Sequence, residues 1–167
     1  MVLAVAGILT ATAAPAMQSV VYEQRLTAYV NELLGDLQLA RSEAIRRAAS
    51  VTLCKSNTGQ ACTTDSDWHE GWLLFSDENE NGRIDAGESI LRIRQSLEGR
   101  VTLAFGAFGP GSGRYITYQS TGMSRQNGTF TFCGARGAGS ARAVIVSSGG
   151  RARISDKSSS GGALRCS

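Results

Sequence analysis

Two arginines one residue apart, Arg151 and Arg153, follow a pair of glycines in Ser148-Gly149-Gly150-Arg151-Ala152-Arg153, near the end of a 167-residue chain. On an extended strand, residues i and i+2 share a face about 6.6 Å apart. That spacing lets two guanidinium forks straddle neighbouring phosphates, and each fork can bind phosphate bidentately. The glycines let the backbone turn and approach closely. An edge strand carries exposed charge for a plainer reason, to deter aggregation, so the surrounding charge decides between the two. Residues 1–99 hold 8 basic and 13 acidic side chains, whereas residues 100–167 hold 9 basic and 1 acidic, a split hidden within a net charge of +3. The basic set is Arg100, Arg114, Arg125, Arg136, Arg142, Arg151, Arg153, Lys157 and Arg165, with Asp156 the single acid. A basic half of this kind calls for a polyanion. Arg151 and Arg153 form the centre of the candidate site, with Gly150 shaping it and Lys157, Arg165, Arg136 and Arg142 extending it. No helix carries these residues, and the aromatic side chains of this half mostly alternate as core residues do. Phosphate contacts with little base preference and steep salt dependence are therefore expected.

A second motif could bind a metal. Asp77-Glu78-Asn79-Glu80-Asn81-Gly82-Arg83-Ile84-Asp85-Ala86-Gly87-Glu88 fits the twelve-residue calcium loop, with Asp77, Asn79, Asn81 and Glu88 as oxygen ligands, Gly82 at the turn and Arg83 offering its carbonyl. Apolar strands flank it where that motif has helices, so a polar hairpin connection shaped by Asn and Gly is the favoured reading, and no cofactor is expected. Catalysis has little support. His69 is the only histidine, and the chain has no nucleophile elbow, no phosphate-cradling lysine loop and no histidine pair for a metal.

These residues must be positioned by a long helix and a set of strands. Met1 to Ala14 carries no charge, and beyond Pro15 the apolar residues Leu26, Val30, Leu33, Leu37, Ala40, Ala44 and Ile45 recur at helical spacing. The first 50 residues thus read as one helix, an apolar stem (1–17) running into an amphipathic half that belongs to a single head (18–167). The stem is short of the roughly 20 apolar residues that span a bilayer. Small-x-small triplets near Pro15 match a signal-peptidase site, but no basic segment precedes them and the helical period resumes at once. Past the helix the period falls to two. Strands are expected at 51–55, 71–76, 89–94, 100–105, 114–119, 129–133, 141–147 and 151–155, separated by Gly, Asn and Ser clusters, with 106–113 and 158–162 as flexible loops. The fold class is α+β, with the helix packed on antiparallel sheet. Cys54, Cys62, Cys133 and Cys166 lack C-x-x-C spacing, so with export implied by the stem they read as disulfides. Of three possible pairings, 54 with 62 and 133 with 166 is favoured, because each pair brackets a polar, Gly/Ser-rich segment. The second would stabilise by on the order of 3 kcal/mol and staple the tail.

The stem, then Gln38-Leu39-Ala40-Arg41-Ser42-Glu43-Ala44-Ile45-Arg46-Arg47 and Val51-Thr52-Leu53-Cys54, together resemble the FimT/GspH family of type IV minor pilins and pseudopilins. Gly71-Trp72 with Phe75-Ser76-Asp77, Asp85-Ala86-Gly87-Glu88 and Leu91-Arg92 continue the likeness almost end to end. In that family a basic leader precedes a Gly-Phe-Thr-Leu-Ile-Glu stretch, where a peptidase cuts and the new N-terminus is methylated. That stretch is not in this sequence, which is expected to start inside the mature helix, and no processing residue carries over. The resemblance implies a pilin-like subunit, non-enzymatic, single-pass in the bacterial inner membrane with its head in the periplasm or in a surface pilus. Its partners would be other major and minor pilins or pseudopilins along the helix. Gly150-Arg151-x-Arg153 is similar to the element by which FimT-type minor pilins contact DNA during uptake. The alternative is a GspH-like structural subunit of a type II secretion pseudopilus, and neighbouring genes for pilus and competence or for secretion would separate the two.

Overall fold

The computed structural model describes residues 2–109, 111, 113–134 and 137–166, with side chains described from Val20 onward. One helix, α1 (Val2–Arg47), precedes eight strands: β1 (Val51–Lys55), β2 (Trp72–Ser76), β3 (Ile90–Arg94), β4 (Thr102–Phe108), β5 (Tyr115–Tyr118), β6 (Asn127–Gly134), β7 (Gly137–Val146) and β8 (Ala152–Ser155). They form two antiparallel four-stranded sheets, ordered β3-β2-β1-β5 and β4-β6-β7-β8.

The helix lies across both sheets because its apolar stripe has the 3.6-residue period. Leu26, Val30, Leu33, Leu37, Ala40 and Ala44 are buried against Val51, Leu53, Trp72, Leu74, Ile116 and Tyr118 of the first sheet and Phe105, Phe130, Phe132, Val144 and Val146 of the second. Each fully buried Leu or Phe here stabilises by about 1.5–3 kcal/mol. Ile45 departs from the expected stripe: it is 51% exposed. The helix ends two residues later, Ala48 turns to φ 51° and donates to the Ile45 carbonyl, and Ala44 takes the inward place. Arg46 and Arg47 in the last turn complement the helix dipole and both hold Glu43.

A polar bolt also joins the helix to the first sheet. The Trp72 indole N–H donates to Asp36 Oδ2 at 2.7 Å, and Arg92 Nε holds the other oxygen at 2.6 Å. Burial pushes the Asp36 carboxyl above its usual range, against the pull of the Trp72 hydrogen bond and of Arg92. One turn earlier, Arg94 Nε pairs with Glu32 at 2.8 Å while its guanidinium lies 5.4 Å from the Tyr29 ring centroid.

Both sheets are covered on their outer faces too. Leu73, Phe75 and Cys54 pack beneath Cys62, Ile84 and Tyr115, and the Cys54–Cys62 disulfide closes that flap. On the second sheet, Leu164 from the C-terminal tail packs on Ala141, Ala143 and Ile145, and Cys133 is bonded to Cys166. Three strands run longer than their composition suggests. β4 continues through Gly106 to Phe108, β6 starts at Asn127 and β7 starts at Gly137. In each case a neighbouring strand supplies the hydrogen bonds for a Gly-containing segment.

Candidate nucleic-acid interface

β8 is the outermost strand of the second sheet, reached through a tight turn at residues 147–151. The Gly150 N–H donates to the Ser147 carbonyl at 2.8 Å, and the Ser147 N–H donates to the Arg151 carbonyl at 3.0 Å. Gly150 has φ +76°, and a Cβ there would run into the Gly122 carbonyl oxygen. Only glycine suits both the left-handed conformation and the contact. The Ser124 N–H donates to the Ser148 carbonyl at 3.1 Å, which braces the turn against the loop after β5. The strand begins at Ala152 rather than at Arg151. Arg151 and Arg153 flank Ala152, which packs toward the core, and both are exposed.

The register carries the geometry further. Arg153 lies opposite Ile145, on the face where Leu164 packs. The tail covering that face carries Lys157, which pairs with Ala163 in a short bridge, and Arg165, next to the disulfide. The structure thus brings Arg153, Lys157 and Arg165 to one side of the sheet, whereas Arg151, in the turn before the strand, lines a cavity against the helix with Leu37, Gln38 and Arg41, so the two arginines do not share one strand face. A groove of about 520 Å³ runs between tail and sheet, lined among others by Thr129, Thr131, Ser158, Ser160, Gly162 and Arg165. Arg142 does not join them. It lies opposite Phe132, which belongs to the helix-side core, so alternation turns it to the other face, where it is half-buried and donates to the Ala141 carbonyl at 3.0 Å. Arg136 lies outside the described residues.

The arginines divide by pairing. Arg46, Arg47, Arg92, Arg94 and Arg125 each hold a carboxylate: Glu43 takes the first two, Asp36, Glu32 and Glu80 the others. Among the described residues, Arg151, Arg153, Lys157 and Arg165 form no salt bridge with a carboxylate, and neither do Arg25, Arg41, Arg83, Arg100, Arg114 and Arg142. An exposed surface guanidinium without an internal counter-ion keeps its full attraction for an external anion.

The acidic loop is closed by its own hydrogen bonds. Asp77, fully buried, accepts from the N–H groups of Asn81 and Gly82 and from the Thr52 hydroxyl. Asn79 Oδ1 accepts from Asn81 N–H, Asn81 Oδ1 from Arg83 N–H, and the two Glu88 oxygens from Glu78 and Asp85 N–H. Among the described residues no group of three or more His, Cys, Asp or Glu side chains is placed to hold a metal ion. His69 lies in the 3₁₀ turn Trp68–Glu70, where its carbonyl accepts from Leu97 N–H. Its neighbour Trp68 is buried edge-on to Phe105 and Phe130 and donates to the Gly113 carbonyl, a structural role that the sequence did not signal. Arg41, on the helix, is a further basic residue of this region that no sequence motif marks. It shares a cavity with Gly150 and Arg151, and the only hint was that it follows the buried Leu37 by one turn.

A long N-terminal helix laid across two antiparallel sheets, with a disulfide-stapled tail, defines a pilin-like subunit. Residues 29–150 match the model of the family described as Type II transport protein GspH, and the chain belongs to this family. Arg151, Arg153, Lys157 and Arg165 lie beyond the matched residues. The fold is similar to that of the type IV minor pilin FimU of Pseudomonas aeruginosa, at TM-score 0.59 and 21% identity over 79% of this chain and 89% of that one. It is also similar to the minor pseudopilin EpsH from the Type 2 Secretion System of Vibrio cholerae, at TM-score 0.54 and 12% identity over 78% of this chain and 96% of that one. Comparison with curated proteins gives no match. No helix among the described residues is long and apolar enough to cross a membrane.

Proposed function

We propose that this chain is a minor pilin of the FimT type, whose head captures extracellular DNA by phosphate contacts for pilus-mediated uptake in natural transformation, and which also serves pilus biogenesis. The observation that carries this reading is the gathering of Arg153, Lys157 and Arg165 at the edge of the second sheet, with Arg151 in the turn before β8, in a half of the chain whose single acid is Asp156. The α1 helix would hold the chain in the inner membrane, head in the periplasm, or pack it among other pilins in a surface filament. The braced turn at Gly150 and the Cys133–Cys166 staple limit the entropy lost when the segment meets its ligand.

The test is DNA binding by the full chain in a neutral detergent, read by fluorescence anisotropy across salt concentrations. Four phosphate contacts give a log–log salt slope near −3.6 on duplex DNA, or about a 150-fold loss of affinity between 50 and 200 mM salt. A second reading, a GspH-like structural subunit of a type II secretion pseudopilus, is favoured by the description of the matching family and by the likeness to EpsH. A folded chain that binds no DNA at 20 mM salt would establish that second reading over the first.

A further inference from the structure

Between the last turns of the helix and the β7–β8 turn lies a cavity of about 190 Å³, lined by Leu37, Gln38, Arg41, Gly150, Arg151 and Ala152. That is room for several water molecules and for a phosphate group. Two arginines line it and no carboxylate does.

Buried donors left without an acceptor are uncommon in folded proteins, and each calls for an explanation. Here there are two. Arg41 Nε and the Tyr118 hydroxyl are both buried, and neither has a hydrogen-bond partner. Their placement follows from two glycines. A Cβ on Gly122 would stand 3.2 Å from Arg41 Nε, and one on Gly150 would stand 3.3 Å from Tyr118 Cε1. The missing side chains at 122 and 150 thus let the Arg41 guanidinium lie over one loop and the Tyr118 ring under the other. Like charges at Arg41 and Arg151 share a cavity that no carboxylate lines, an arrangement that an anion would complete.

We infer that this cavity is a phosphate seat, in which Arg41 from the helix and Arg151 from the turn clasp one phosphate group. The inference rests on the DNA reading for its main ligand source and adds a helix residue to that surface. It also gives the complex a fixed register: one phosphate of the strand is seated between helix and sheet, while Arg153, Lys157 and Arg165 meet others.

The test follows the Arg41 Nε–H resonance in a ¹⁵N–¹H spectrum of the full chain in detergent, titrated with inorganic phosphate, with chloride at equal ionic strength, and with a short duplex. A saturable shift with phosphate and with DNA, but not with chloride, is the expected result. Arg41→Gln should then lower DNA affinity about tenfold and flatten the salt slope by about one, and Arg41→Lys, which keeps charge but loses the fork, should restore only part of it. A shift with phosphate alone would keep the seat and assign it to the free anion, against the DNA reading. DNA binding with no Arg41 shift, and with Arg41→Gln binding as the parent does, would overturn the seat and leave the DNA reading intact. No shift with either ligand would overturn the seat outright. Because Arg41 Nε has no internal partner to lose, the Gln variant should fold, which the Trp68 and Trp72 fluorescence checks directly.

Discussion

Removing the Cys133–Cys166 bridge should destabilise the head more than removing Cys54–Cys62, and the difference can be worked from the loops they close. The sequence separations are 33 and 8 residues. In the chain-entropy model these correspond to about 3.7 and about 2.5 kcal/mol at 25 °C. Cys133 is also packed with Ala141, Ala143, Ile145 and Leu164, and Cys54 with Leu73 and Phe75, so either alanine pair loses some apolar contact as well, up to about 1 kcal/mol. The expected cost for Cys133→Ala/Cys166→Ala is therefore about 4–5 kcal/mol, against about 2.5–3.5 kcal/mol for Cys54→Ala/Cys62→Ala. Urea unfolding followed by tryptophan fluorescence, with the m-value fitted freely because uncrosslinked chains expose more surface, measures both. The first variant should also release the segment carrying Lys157 and Arg165, so DNA affinity should fall severalfold even at temperatures where the head stays folded. Equal stability of the two variants, or a Cys133/Cys166 variant within 1 kcal/mol of the parent, would refute this account of how the tail is held.

Further outcomes follow from other parts of the structure. Gly150→Ala forces a side chain into φ +76° and against the Gly122 carbonyl; a loss of about 2–4 kcal/mol is expected by urea unfolding, from the left-handed conformation plus strained turn hydrogen bonds. Burial raises the Asp36 pKa above 3.8, so the native state holds a proton after the unfolded chain has released it. Its contribution to stability is then greatest below about pH 4 and declines as pH rises through the folded value. Arg92, its ion-pair partner, is 48% exposed, which screens the compensating attraction. Compared by urea unfolding between pH 3.5 and 6.5, the parent should lose ground to Asp36→Asn as pH rises; a gain would mean that the Arg92 pair outweighs burial. Calcium at 10 mM should leave the melting temperature within 1 °C. A site with a dissociation constant of 0.1–1 mM would instead add about 1.4–2.7 kcal/mol and several degrees.

The sequence made the helix and all eight strands legible, because period-3.6 and period-2 apolar patterns both survive wherever one face is buried. Leu26 through Ala44 kept to the stripe, and Ile45 failed only because the helix ends at Arg47. Strand ends were less legible at Gly106–Phe108 and Gly137–Gly139, where composition says loop and a neighbouring strand imposes extension. The arginine cluster was legible as a charge split but not as a geometry. Which face Arg142 takes depends on the β6–β7 register, and a one-residue choice there reverses it. Arg41 could not have been assigned to the β8 turn from sequence, since 110 residues of chain separate it from Arg151 and only the sheet order brings them together. Asp36 and Trp72 are likewise joined across the helix–sheet boundary, a pairing that no local pattern encodes.

If the β8 turn, β8 and the tail hold DNA by its phosphates, the salt slope of the Arg151→Gln/Arg153→Gln variant beside that of the parent will report it. Two lost phosphate contacts should flatten the slope by about 1.8 and weaken binding alike on all duplex sequences. A folded variant with the parent's slope and affinity would contradict the claim, and so would a loss confined to particular sequences.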